Sequence, residues 1–81
     1  MKVAFFGKLG EAIGRQVEVD RPTACVTVAD LRKLLSQLYP QAAADLLSPG
    51  IRACVDETLV GEQFRLPEHA TVEFFPPLSG G

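Results

Sequence analysis

The sequence has no tryptophan, a single histidine and only two cysteines. His69, Cys25 and Cys54 cannot supply the four Cys and His ligands of a structural zinc site. Nor can two cysteines hold an all-cysteine iron–sulfur cluster. No metal site is expected, and without a Cys-x-x-Cys pair both thiols are expected to be reduced and structural. Basic runs are also missing. Lys and Arg are scattered from Lys2 to Arg65, Arg32-Lys33 is the only adjacent pair, and the net charge is −2. This excludes the basic stripe that nucleic-acid binding requires. No run approaches the ~20 consecutive apolar residues that span a bilayer. The opening Met1–Phe6 is broken by Gly7, Lys8 and Gly10, too soon for a signal-peptide core. No membrane partner is expected, and a cytoplasmic location is.

The length allows one domain, at 81 residues. A chain this short buries only ~60% of its unfolded surface, so it cannot enclose both a core and a deep active site. It is not expected to be an enzyme on its own. There is no Walker-type glycine loop and no nucleophile elbow. Acidic residues are dispersed, and His69 is expected to be a solvated loop residue.

What is present reads as alternating strands around one strong helix. Residues Lys2–Gly7 alternate as a strand, with Val3 and Phe5 on one face and Ala4 and Phe6 on the other. Three glycines between Gly7 and Gly14 suggest a loop. Arg15–Asp20 is a second alternating strand, so the two form a hairpin. Thr27 and Asp30 have the spacing of a capping box. Val28, Leu31, Leu34, Leu35 and Leu38 then recur at helical spacing, predicting a helix over Val28–Leu38 that Pro40 terminates. Arg32, Lys33, Ser36 and Gln37 are expected on its solvent face, and Arg15, Arg21 and Arg32 are expected to be surface charges. A short helical turn over Ala42–Leu47 precedes strands at Ile51–Val55 and Thr58–Val60, joined by a tight turn at Asp56-Glu57. A polar loop from Gly61 to Ala70 leads to the last strand, Thr71–Phe75. Placing the first and last strands side by side and parallel fits the long helical crossover. The expected fold is α+β: a ubiquitin-like β-grasp, a mixed sheet with one main helix on one face.

The last residues are the most informative. Residues 1–75 form the expected domain, and 76–81 an extended Gly-Gly tail. Pro76 and Pro77 cannot continue a strand ladder and favour a stiff exit. The tail would reach about 20 Å if fully extended. Gly80 and Gly81 end it in bare backbone, which can enter a narrow site on another protein and present its terminal carbon to a nucleophile. Phe6 and Phe75 fall on the face opposite the helix, on strands expected to be neighbours. Paired outward aromatics suggest an interface.

The ending Phe74-Phe75-Pro76-Pro77-Leu78-Ser79-Gly80-Gly81 resembles that of the small, sulfur-carrier subunits of molybdopterin synthase. The opening Val3-Ala4-Phe5-Phe6-Gly7, the segment Val55–Val60 and the total length resemble that family too. Gly10 departs from it, where the family often has arginine, and Asp56 departs where it often has asparagine. The resemblance implies that Gly81, with Gly80 beside it, carries the chemistry. A ubiquitin-activating-type adenylyltransferase would use ATP to adenylate the Gly81 carboxylate. A sulfur donor such as a cysteine desulfurase or rhodanese would convert it to a thiocarboxylate. The large, catalytic subunit would receive the tail, and a pyranopterin precursor would take the sulfur to form the dithiolene of molybdopterin. Phe6, Phe75, Pro76, Pro77, Leu78 and Ser79 would contact that partner. No cofactor would be permanently bound. A thiamin-type sulfur carrier and a ubiquitin-like protein modifier remain as alternatives that share the Gly-Gly ending.

Overall fold

The computed structural model describes residues 1–20 and 22–76. Among these residues are five strands: β1 (Lys2–Phe5), β2 (Gln16–Glu18), β3 (Arg52–Val55), β4 (Thr58–Val60) and β5 (Thr71–Phe75). Three helices interrupt them: α1 (Lys8–Ile13), α2 (Val28–Leu38) and α3 (Ala43–Leu46), the last preceded by a 3-10 turn at Pro40–Ala42. The sheet order is β2-β1-β5-β3-β4. The first and last strands pair in parallel at its centre, with Val3 opposite Val72 and Phe5 opposite Phe74. All other pairings are antiparallel.

One face of the sheet carries the core. Val3, Phe5, Val72, Phe74, Ala53 and Val55 are buried there against Val28, Leu31 and Leu35 of α2. Burying side chains of this size contributes roughly 1.5–3 kcal/mol each. The apolar stripe of α2 is shorter than its sequence suggests: Leu34 is only partly buried and Leu38 is exposed. Leu38 lies in the last turn, and Tyr39 leaves helical geometry before Pro40.

The start of α2 is fully satisfied. Thr27 Oγ1 accepts from Asp30 N–H at 3.2 Å, and Asp30 accepts in return from the N–H groups of Thr27 and Val26, both at 3.0 Å. The N–H groups of Val28 and Ala29 donate to the carbonyls of Phe64 (3.1 Å) and Glu62 (3.0 Å) in the loop after β4. The donors that every helix leaves unpaired at its start are thus taken up by the protein itself. The N–H groups of Val26 and Thr27, in that order, hold the Asp30 carboxyl below its ordinary value of 3.8.

Two sequence expectations are corrected. The Gly7–Gly14 segment is not a loop throughout but contains α1. Leu9 is buried, and Gly10 lies so close to β1 that a Cβ there would stand 2.8 Å from the Phe5 carbonyl oxygen. Packing against β1, rather than helix propensity, holds this turn in place. Arg32 is not a surface charge. It flanks the Val28–Leu31–Leu35 stripe and is 6% exposed. One guanidinium nitrogen, Nη1, donates to the Leu46 carbonyl at 2.8 Å and the Ser48 carbonyl at 3.3 Å; Nη2 donates to the Ile51 carbonyl. Nε lies 2.9 Å from Glu62 Oε1, in an ion pair too poorly aligned to be a hydrogen bond. The cation also sits 5.4 Å from the centre of the Phe74 ring. Charge alone placed Arg32 outside; three converging carbonyls at the end of α3 place it inside.

Replacing Arg32 with Leu leaves those carbonyls without their donor, and each such loss costs about 1–3 kcal/mol. Denaturant unfolding of Arg32→Leu should therefore show a loss of about 3 kcal/mol or more, against about 1 kcal/mol for Thr27→Ala, which loses one cap. Because the Asp30 carboxyl is depressed on folding, its contribution is complete above its ordinary value of 3.8 and is lost as pH falls through the lower folded value. Unfolding midpoints measured from neutral to strongly acid pH should fall more steeply below about pH 4 for the wild type than for Asp30→Asn.

Candidate functional site

The face of the sheet opposite α2 is uncovered among the described residues. Its positions follow from strand register. One row runs Gln16, Ala4, Glu73, Cys54, Leu59 across all five strands. The next row places Phe75 opposite Arg52. Phe6 lies one residue beyond β1, and its N–H donates to the Phe74 carbonyl at 3.1 Å, extending the parallel ladder. This sets the Phe6 ring on that of Phe75, with centroids 4.7 Å apart and an interplanar angle of 0°. Phe6 remains 42% exposed and Leu59 is 56% exposed. Phe6, Phe75 and Ala4 thus lie on one side of Glu73 on this face, and Cys54 and Leu59 on the other. Single apolar residues on a surface need no explanation, but a stacked aromatic pair on an open sheet face does.

Pro76 leaves β5 at the edge of this surface. Gly7 faces it, with a φ of 68° that favours glycine, and a Cβ at Gly7 would meet Pro76 Cγ at 3.0 Å. Phe6, Gly7, Leu9, Ile51 and Pro76 line the depression at this point. The beginning of the tail is therefore seated against the turn that follows β1.

Of the residues singled out from sequence, Phe6, Phe75 and Pro76 come together here. Pro77, Leu78, Ser79, Gly80 and Gly81 lie outside the described residues, as does Arg21. The other candidates stand apart. His69 is exposed in its loop. Asp56 and Glu57 form the tight turn between β3 and β4, with φ of 48° and 71°. Such left-handed pairs are the geometry of two-residue hairpins. Asp56 also accepts from the Thr71 N–H at 3.0 Å, tying that turn to β5. Cys25 is buried, Cys54 is partly buried on the outer face, and neither is in a disulfide. No cluster of metal-ligating side chains exists among the described residues. No helix among them is long and apolar enough to cross a membrane.

Sequence reading did not bring Cys54 and Leu59 onto this surface. The alternation of their strands was visible, but their face depends on the register of β3 with β5. Gly10 also takes on a different meaning. A side chain at this position would need α1 to move away from β1, so the glycine sets a close helix–strand approach.

A mixed sheet whose first and last strands pair in parallel at its centre, crossed by one main helix, defines a ubiquitin-like β-grasp protein. SAMP1 from Haloferax volcanii has this fold: its crystal structure matches with a TM-score of 0.82 at 24% identity, over 99% of this chain and 97% of that one. The chain belongs to the ThiS family, whose model matches residues 3–81. It is 33% identical to the molybdopterin synthase sulfur carrier subunit of Escherichia coli strain K12, over 100% of this chain and 99% of that protein. The protein of the same name from Caenorhabditis briggsae is 29% identical, over 100% of this chain and 96% of its own length.

If the Phe6–Phe75 pair is a surface feature rather than part of the core, its removal should disturb stability little. Thermal and denaturant unfolding should show a cost of about 1 kcal/mol for Phe6→Ala, the scale of one aromatic pair. Phe74→Ala, by contrast, should cost about 3–5 kcal/mol.

Proposed function

We propose that the protein is the sulfur-carrier subunit of a molybdopterin synthase. The observation that carries this reading is the full-length match, through residue 81, to two sulfur carrier subunits of that enzyme. The Phe74-Phe75-Pro76-Pro77 run before Gly80-Gly81 favours it over a thiamin-type carrier or a protein modifier. The carrier contributes a docking surface and a reactive terminus, and catalytic side chains belong to its partners.

A free carboxylate resists nucleophiles. An ATP-dependent adenylyltransferase of the ubiquitin-activating type couples the Gly81 carboxylate to AMP and releases pyrophosphate. A donor then delivers sulfur at the sulfide level, AMP leaves, and Gly81 holds a thiocarboxylate. The large subunit receives the tail, and the sulfur attacks an electrophilic carbon of the pyranopterin precursor, displacing an oxygen leaving group and forming a thioester. Transfer of the acyl group to water regenerates the carboxylate. Gly80 and Gly81 keep bulk away from the reacting carbon, while Pro76, Pro77, Leu78 and Ser79 span the channel that admits it. Phe6 and Phe75 dock at the channel's mouth. In this reading no cofactor resides in the carrier, and it works in the cytoplasm.

Truncation of a buried aromatic anchor commonly costs at least about 2 kcal/mol of binding. Titration against the large subunit should show a loss of this size for Phe75→Ala, and unchanged affinity for both Phe6→Ala and Phe75→Ala would exclude the docking surface. In a reconstituted synthase, deletion of Gly81 should abolish sulfur transfer while the far-ultraviolet spectrum stays unchanged. The double variant Cys25→Ser, Cys54→Ser should still transfer. An inactive but folded double variant, together with an active Gly81 deletion, would place the sulfur on cysteine.

A further inference from the structure

Among the apolar residues of the outer face, one residue does not belong. Glu73 sits at the centre of the sheet, on β5, facing outward between Ala4 on one side and Cys54 on the other. Its side chain is partly buried, yet among the described residues its carboxylate makes no hydrogen bond and no ion pair. Ala4 and Cys54, directly opposite, carry no charge, and the diagonal cations Lys2 and Arg52 form no ion pair with it. Arg52 lies on the same face but lines a separate depression at the β4 edge, with Val60 and Glu62. Glu73 instead lines two depressions on the outer face. One is bounded by Phe6, Ala4, Gln16, Glu11 and Arg15, the other by Asp56, Glu57 and Thr71.

A carboxylate in this position tolerates water but not a dry interface. Covering it with an apolar partner would strip its hydration without compensation. The same surface that favours docking through Phe6 and Phe75 therefore demands a cation opposite Glu73. The small side chains of Ala4 and Cys54 leave room for one. The Phe6 ring at the rim offers a flat surface on which a planar guanidinium stacks. Glu11, Asp56 and Glu57 line the two depressions with Glu73 against a single Arg15, and Lys2, diagonal to Glu73 on the same face, makes no ion pair with it, so both depressions favour positive charge.

We infer that Glu73 is the specificity-determining contact of the docking surface, and that it receives an arginine side chain from the large subunit, seated against the Phe6 ring. This inference rests on the proposed docking of the large subunit on this face. Large subunits lacking such a cation would be rejected, because a buried unpaired carboxylate penalises the wrong partner more than it favours the right one.

The test titrates the full-length protein against the large subunit from the same organism, at low and at high salt. Glu73→Gln keeps the shape and removes the charge, and its melting temperature should match the wild type. It should weaken binding about tenfold or more at low salt, and Glu73→Lys should weaken it further. The salt dependence of affinity should be smaller for Glu73→Gln than for the wild type. For Phe75→Ala, affinity should fall while the salt dependence is retained. Equal or tighter binding by Glu73→Gln, with Phe75→Ala still weakened, would overturn the inference and leave the docking surface standing. If the wild type does not bind, or if Phe6→Ala and Phe75→Ala both bind as the wild type does, the docking reading fails and the inference fails with it.

Discussion

Parallel pairing of β1 with β5 is the constraint on which the rest of the structure depends. Parallel neighbours cannot be joined by a tight turn, so the intervening chain must cross over the sheet. The segment carrying α2 makes that crossing and buries Val28, Leu31 and Leu35 against the sheet. Parallel register also sends both strands out at the same end of the molecule. Phe6 and Phe75 consequently emerge together on the uncovered face, and Pro76 emerges beside Gly7. In an antiparallel arrangement the two rings would lie at opposite ends, and the tail would leave far from the aromatic pair. One hydrogen-bonding pattern thus builds the core, the outward aromatic pair and the seat of Pro76.

The second organising element is polar. Arg32 gathers the carbonyls of Leu46, Ser48 and Ile51, pairs with Glu62 and lies over Phe74. It joins α2, the end of α3, the approach to β3 and the loop after β4 through a single side chain. That loop in turn caps α2 through the Phe64 and Glu62 carbonyls. A buried cation of this kind is not evidence of net stabilisation, since desolvation offsets much of its attraction. Its consequence is geometric. With α3 and its following loop fixed, the depression beneath Pro76 has a defined wall.

The strand pattern, the capped helix and the adjacency of Phe6 and Phe75 were legible in the sequence because each depends on local periodicity or on one topological rule. Three features were not. α1 is a short helix held by contact with β1, and its glycines read as a loop because helix propensity says nothing of that contact. Arg32 looked solvent-facing because its partners are main-chain carbonyls, which carry no sequence signature. The outer row of Ala4, Glu73, Cys54 and Leu59 emerges only once the registers of β1, β5, β3 and β4 are combined. The reading of 76–81 as a proline-stiffened, glycine-tipped tail rests on composition, and beyond Pro76 it lies outside the described residues.

The central claim is that sulfur is carried on the Gly81 carbonyl carbon and not on a cysteine. Peptide mapping by mass spectrometry addresses it directly. The full chain would be incubated with its adenylyltransferase, ATP and a sulfur donor, then digested without reducing agent. The account predicts that the peptide ending at Gly81 gains the mass of one sulfur in place of one oxygen, and only when ATP is present. Added sulfur on the peptides containing Cys25 or Cys54, with the Gly81 peptide unchanged, would contradict it.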